Sequence, residues 1–145
     1  MTKIVVENVS KVFGPDPESV IPLIEQGMSK QEILEQHGHV VGIRSLNLTI
    51  EAGETFVVMG LSGSGKSTLI RHFNRLIEPT AGRILLDGDD VLSLTESGLR
   101  DLRRHQISMV FQKFGLLPHR TVLENVAYGL VTSGVSRKEA YERAQ

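Results

Sequence analysis

The chain has 145 residues, 40% of them apolar, with 16 basic and 17 acidic side chains and a formal net charge of -1. This suffices for one modest domain with a real core, and the balanced charge gives no overall field to draw in nucleic acid or anionic lipid. Cysteine is absent, which excludes disulfides, thiolate metal sites and cysteine nucleophiles and makes the cytosol the default compartment.

The opening Met1-Thr2-Lys3-Ile4 lacks the layout of a secretory signal, and no apolar run approaches the roughly 20 residues of a membrane span, so a membrane link is expected only through a partner. Lys3 to Phe13 mixes Ile4, Val5, Val6, Val9 and Val12 with polar residues and reads as a strand or strand pair closed by Gly14-Pro15. From Asp16 to Gly38 the pattern turns helical. Ser29 and Glu32 have capping-box spacing ahead of Ile33 and Leu34, and Gly38 suits a helix stop. An earlier helix is expected around Val20, Ile21, Leu23 and Ile24, where Pro22 fits only a first turn or a break. Ile43 to Ile50 alternates as a half-buried antiparallel strand does, and Glu51-Ala52-Gly53 supplies a turn. Thr55 to Met59, apolar after its first residue, is expected as a strand covered on both faces.

Lys66 to Leu76 carries Leu69, Ile70, Phe73 and Leu76 at helical spacing and is stopped by Pro79 and Gly82. Ile84 to Leu86 with Asp87-Gly88 returns to β structure, Leu99 to Arg104 is a short basic helix, Ile107 to Phe111 a second buried-type strand, and Leu123 to Leu130 a helix. Ser136 and Glu139 form a further capping box, and the helix it opens has hardly begun when the sequence reaches Gln145. Two helical turns alone are marginal, so a fragment is expected.

Gly60-Leu61-Ser62-Gly63-Ser64-Gly65-Lys66-Ser67 matches G-x-x-x-x-G-K-[ST] at every fixed position, between an apolar strand and a helix, the setting a P-loop requires. Glycines let backbone N–H groups turn inward around phosphate oxygens, where side chains would block the approach. The helix beginning at Lys66 aims its positive end at the same oxygens. The Lys66 ammonium is expected at the β- and γ-phosphates, the Ser67 hydroxyl on Mg²⁺ and the Thr68 hydroxyl at the α-phosphate. The nucleotide triphosphate would thus be held by Gly60, Leu61, Ser62, Gly63, Ser64, Gly65, Lys66, Ser67 and Thr68. A Gly/Ser-rich turn before an ordinary helix is the plain alternative, and it leaves the complete motif in this setting without a reason.

Gln112 closes the Ile107 to Phe111 segment, and an amide there is by itself more often a strand-end hydrogen-bonding residue than a metal ligand. Arg100, Arg103, Arg104 and His105 form a basic patch that a solvated helix face explains. The remaining histidines offer no spaced metal pair.

The P-loop, the Asp87-Gly88 hairpin and a strand ending in Gln112 follow one another as in an ABC-type ATPase domain, which the chain resembles over almost its whole length. Met59 to Thr68, Asn74-Arg75-Leu76-Ile77-Glu78-Pro79-Thr80, and Met109-Val110-Phe111-Gln112 with Leu117-Pro118-His119 are similar to the ATP-binding subunit of glycine betaine/proline importers. The insert Ile24-Glu25-Gln26-Gly27, then Ser29-Lys30-Gln31-Glu32-Ile33-Leu34, matches the same subgroup, most importer ATPases having only a short turn there.

The resemblance implies an α/β P-loop NTPase fold, with a partly parallel core sheet around the P-loop helix and an antiparallel β subdomain built from the N-terminal strands and Ile84 to Leu86. Residues 1–145 would be the N-terminal part of one ATP-binding domain, with a helical insert at 16–38, the P-loop at 60–68 and a Q-loop region at 107–119. The signature and Walker B motifs, and with them the general base, would lie beyond Gln145. By the same resemblance Lys66 and Gln112 are the catalytic residues present, Ser67 and Gln112 serve Mg²⁺, Phe13 stacks on adenine, and Phe114 to His119 lie near a transmembrane partner.

The activity implied is ATP hydrolysis coupled to import of glycine betaine/proline-type compatible solutes, carried out peripherally at the cytoplasmic face of the cell membrane. Its partners would be a transmembrane permease subunit, a second ATP-binding subunit arranged head to tail and, indirectly, a periplasmic or extracellular solute-binding protein. Without the base, this chain alone is expected to bind ATP with negligible turnover. The rival readings are a non-catalytic nucleotide-binding module, and a non-transport P-loop enzyme such as a small-molecule kinase, which would carry a substrate lid in place of Gln112 and its Leu-Pro-His tail.

Overall fold

The valine-rich N-terminus folds as one strand, β1 (Ile4–Phe13), in a computed structural model that describes residues 3–112 and 115–145. β1 is central: β2 (Val40–Ile50) flanks one edge and β3 (Ala81–Leu86) the other, and a two-residue β4 (Asp89–Asp90) completes the order β2-β1-β3-β4. Every pairing is antiparallel. The alternation in β1 slips where its register to β2 shifts between Val6 and Val9, and there Asn8 takes a left-handed φ of 50°. Asn47 pins this irregularity, its Oδ1 accepting from the Asn8 N–H at 2.9 Å and its Nδ2 donating to Asn8 Oδ1 at 3.0 Å.

Two compact units make up the chain, Met1–Ile107 and Ser108–Gln145. In the first, Val6, Val9, Ile43, Ile84 and Leu86 from the sheet pack with Leu69, Val91 and Leu102 as the main core. Leu69 comes from α3 (Lys66–Phe73) and Leu102 from α4 (Glu96–His105), which two further helices precede in the chain: α1 (Ile21–Glu25) and α2 (Lys30–His37). α2 opens with the expected Ser29/Glu32 capping box and closes at Gly38 in the left-handed region. Pro22 sits in the first turn of α1, where its missing N–H costs nothing.

These two helices and the turn before them carry a small core of their own, Val20, Ile24 and Ile33 against Val12 and Val41 of the sheet. The excursion that bears them leaves the sheet after Phe13 and returns at Val40, and those two residues are direct ladder partners. β2 therefore starts earlier than the expected Ile43, because its first residues pair with the end of β1. His39 fastens both ends of the excursion, its buried ring contacting the carbonyl oxygens of His37, at 2.6 Å, and Pro15.

Three expectations need correction. Among the described residues the segments Thr55 to Met59 and Ile107 to Phe111 belong to no strand, and no parallel strand pair or partly parallel core sheet exists. Val57, Met59 and Val110 are 66%, 86% and 100% exposed. A buried strand needs a ladder on its edges as well as β-type side chains, and no described strand supplies one here. The P-loop helix also ends at Phe73 rather than Leu76. Arg75 takes a left-handed φ of 51°, and the Leu76 N–H reaches back to the Arg71 carbonyl at 2.9 Å while the Arg75 N–H reaches that of His72 at 3.0 Å, the bonds of a Schellman stop.

In the second unit α5 (Val122–Thr132) packs with α6 (Arg137–Ala144), Ala127 and Ala140 both buried. α5 starts with a Thr121/Glu124 capping box, one residue ahead of the expected start, and α6 with Ser136 accepting from the Glu139 N–H at 3.3 Å. Asn125 ties the incoming loop to α5: its Oδ1 accepts from the Leu117 N–H at 2.7 Å, and its Nδ2 donates to the carbonyls of Leu117, Arg120 and Thr121.

Candidate functional site

α3 begins with Gly65 as its N-cap, at φ 95°, and no side chain caps its first turn. Its leading N–H groups are thus available to an anion. Gly65 must be glycine for two reasons, the positive φ and the space, since a Cβ there would meet the Gly42 carbonyl oxygen at 2.6 Å. Lys66 bends back over the loop and donates to the carbonyl oxygens of Gly60 at 2.7 Å and Leu61 at 2.6 Å, with Ser64 Oγ at 3.3 Å. Among the described residues no carboxylate pairs with it, so its charge is uncompensated beside the uncapped helix end.

A cleft of about 220 Å³ is lined by Phe13, Val40 and Gly42 on the sheet side and by Gly63, Ser64, Gly65, Lys66, Ser67 and Thr68 on the loop side. The structure thus brings Phe13 to the same cleft as the second half of the loop, although the long excursion intervenes in sequence. Gly60, Leu61 and Ser62 stand outside this lining, and Leu61 is 86% exposed at the loop tip. The Phe13 ring is 42% exposed, with the Lys11 ammonium 5.2 Å from its centroid. An aromatic ring at one end of a cleft and an uncompensated cation with free N–H groups at the other is chemistry suited to a planar base joined to phosphates.

Gln112 belongs to the second unit, where it lies exposed at a bend. Lys113 and Phe114, the latter one of the residues expected near a membrane partner, lie outside the described residues. Ser67 and Thr68 occupy the first turn of α3, both on the cleft. Three residues escaped the sequence reading. Val40 and Gly42 reach the cleft only through the register of β2, although a glycine inside a strand pattern is a recognised sign of close backbone approach. His72, on α3, is fully buried: its Nδ1–H donates to the Ile77 carbonyl at 2.6 Å, and Nε2 has no hydrogen-bond partner among the described residues. Burial holds its pKa below the ordinary value and the Lys11 charge acts the same way, against the opposing effect of the bond to Ile77.

The basic patch divides. Arg103 donates through Nε to the Asn74 carbonyl and through Nη2 to the Arg75 carbonyl, each at 2.9 Å, and so closes the C-terminal end of the P-loop helix instead of standing free in solvent. Arg100 pairs with Glu96 at 3.7 Å and His105 with Asp101 at 2.9 Å, ordinary surface contacts of α4.

The ABC transporter family profile matches residues 43–145, which spans the loop, α3 and all that follows. The chain belongs to the ABC transporter family. Among curated ABC relatives it is 49% identical over 142 residues to the glycine betaine/proline betaine transport system ATP-binding protein ProV of Escherichia coli, covering 98% of this chain and 36% of that protein. To the glycine betaine transport ATP-binding protein OpuAA of Bacillus subtilis it is 51% identical over 142 residues, covering 98% and 34%. The chain spans about a third of the length of these relatives. A solved ABC cassette, MJ0796 in a dimeric post-hydrolysis state with ADP and Pi, superposes with a TM-score of 0.74 at 30% identity, over 97% of this chain and 53% of that one. The fold is accordingly that of the α/β P-loop ABC ATPases, and the sheet of the first unit is its antiparallel β subdomain.

Proposed function

We propose that the chain binds ATP in the cleft between Phe13 and the P-loop, as part of an ATPase subunit that energises import of glycine betaine/proline-type compatible solutes. The observation that carries this reading is the cleft itself: Lys66 without a counter-charge, an uncapped α3 and an aromatic ring line one space. The names of the two curated relatives support the solute class.

Gly60 to Thr68 wrap the triphosphate, Lys66 moves from loop carbonyls to β- and γ-phosphate oxygens, and Phe13 carries the adenine. The Ser67 hydroxyl, on the cleft in the first turn of α3, suits a hard cation, and the family resemblance would assign Gln112 to the same ion. Mg²⁺ bound there would neutralise charge on the β- and γ-phosphates. The cleft lining holds no carboxylate. Residues 1–145 alone therefore hold ATP without appreciable turnover, for want of a group to position and deprotonate water. Residues 16–38 are a helical insert and 107–119 the Q-loop region of this ATP-binding domain.

The second unit presents an apolar groove of about 450 Å³ lined by Leu116, Leu117, Pro118, Arg120, Val122, Asn125 and Val126, with Val122 81% exposed. It comes after Gln112 in the chain and suits the cytoplasmic segment of a transmembrane permease. A second ATP-binding subunit in a head-to-tail dimer accords with the dimeric cassette, and a solute-binding protein acts at a distance. No described helix is long and apolar enough to cross a membrane; in this reading the permease provides attachment to the cytoplasmic face.

The test pairs two measurements. Lys66→Ala should weaken Mg-ATP binding at least ~10-fold, the loss of charge-assisted contacts to phosphate. In a strain deleted for the gene, the parent gene should restore uptake of labelled glycine betaine and the variant should not. Unchanged ATP affinity would refute the site, and uptake indifferent to the deletion would refute the transport role.

A further inference from the structure

We infer that Gly42 is a positioning residue for the nucleotide base: the side chain it lacks decides where the Phe13 ring lies over the cleft. The inference rests on the reading of Phe13 as the adenine platform. In the ladder between β1 and β2, Lys11 faces Ile43 while Val12 faces Val41, so Gly42 is an extra residue on β2, bulged beside the last rungs before Phe13. Its φ lies outside the left-handed range that favours glycine. Backbone conformation therefore does not demand glycine here; space does.

A Cβ on Gly42 would stand 2.8 Å from Phe13 Cε2 and 3.5 Å from Cδ2, inside van der Waals contact with the ring edge. On its other side, the Gly42 carbonyl oxygen lies 2.6 Å from where a Cβ on Gly65 would be. Gly42 thus has the aromatic ring where its Cβ would project and the phosphate loop against its carbonyl. It works as a spacer between the two halves of the cleft. If a methyl group is added, the loop contact is made by backbone and stays, whereas the ring is the free end of a side chain and gives way. The displaced ring also changes its distance to the Lys11 ammonium, now 5.2 Å from the centroid. Base affinity should fall while the grip on the triphosphate is kept.

The experiment measures dissociation constants of the full-length gene product for Mg-ATP and, as a probe without a base, Mg-tripolyphosphate. Phe13→Ala is expected to weaken ATP about ten-fold, and Gly42→Ala about five-fold, each with tripolyphosphate binding changed by less than about two-fold. In the double variant Phe13→Ala/Gly42→Ala the second change should add nothing, because no ring remains to be displaced. If Gly42→Ala lowers the melting temperature, the double variant should recover it, which supports the same contact. Equal weakening of both ligands by Gly42→Ala, no effect on either, or additivity in the double variant would overturn the inference while leaving the platform reading intact. Loss of the platform reading has its own signature: Phe13→Ala would leave the ratio of the two affinities unchanged.

Discussion

Replacing His72 by leucine isolates the effect of one buried imidazole on stability. In the folded chain the ring is buried, keeps one bond to the Ile77 carbonyl and is held below its ordinary pKa of 6.5 chiefly by burial. Unfolding exposes it, so below pH 6.5 the unfolded chain takes up a proton that the native chain refuses. Stability therefore falls with falling pH, the direction required when ν_U exceeds ν_N. The loss between pH 7.5 and pH 5.5 can reach at most about 1.4 kcal/mol, one proton over the one pH unit below the ordinary value. Leucine removes that dependence together with the unpartnered Nε2, and gives up the donor to Ile77, so the variant should stay within about 1 kcal/mol of the parent at pH 7.5. Urea unfolding followed by far-UV circular dichroism suits a chain without tryptophan. Because His37, His39, His105 and His119 are common to both proteins, the difference between the two pH profiles reports His72 alone. Parallel profiles from pH 7.5 to 5.5 would refute the reasoning.

Gly65→Ala should cost about 1–3 kcal/mol through its left-handed φ, and the contact with the Gly42 carbonyl should abolish nucleotide binding; a variant that binds ATP like the parent would show the loop to be softer than its geometry. Arg103→Met should destabilise by about 1–2 kcal/mol through two lost carbonyl contacts at the end of α3, whereas Arg104→Met, with no such contacts, should fall within about 0.5 kcal/mol of the parent in the same melts. Asn125→Ala should cost about 2 kcal/mol and speed hydrogen exchange at the Leu117 amide, whose acceptor it removes; unchanged protection there would mean the loop is held by other contacts.

Where structure depends on neighbours along the chain, it was legible in the sequence. The Ser29/Glu32 box, the Gly38 stop and the helix start at Lys66 are set by spacing and by residue chemistry over a few positions. The Schellman stop after Phe73 was hidden because Arg75 fills the left-handed position that glycine usually marks. Thr55 to Met59 and Ile107 to Phe111 show the opposite failure: apolar runs declare an appetite for burial but not the partner that satisfies it. In the candidate site, the loop from Gly60 to Thr68 is a local motif, while the company of Phe13, Val40 and Gly42 is a fact of register that no window along the chain contains. Arg103 was read as solvated because its acceptors, the carbonyls of Asn74 and Arg75, lie 29 and 28 positions away.

The excursion between Phe13 and Val40 is, topologically, a side branch hung from a single rung of the ladder. Its stem is closed by the strands and by His39, so chain added at its far end, around Gly27 between α1 and α2, leaves the geometry of the stem untouched. Each doubling of such a closed loop adds only about 0.6 kcal/mol of closure entropy. The branch is therefore a natural grafting point: a sensor peptide spliced at Gly27 would ride on the nucleotide-binding unit, one rung from the ring at the cleft, and report on it without entering the sheet.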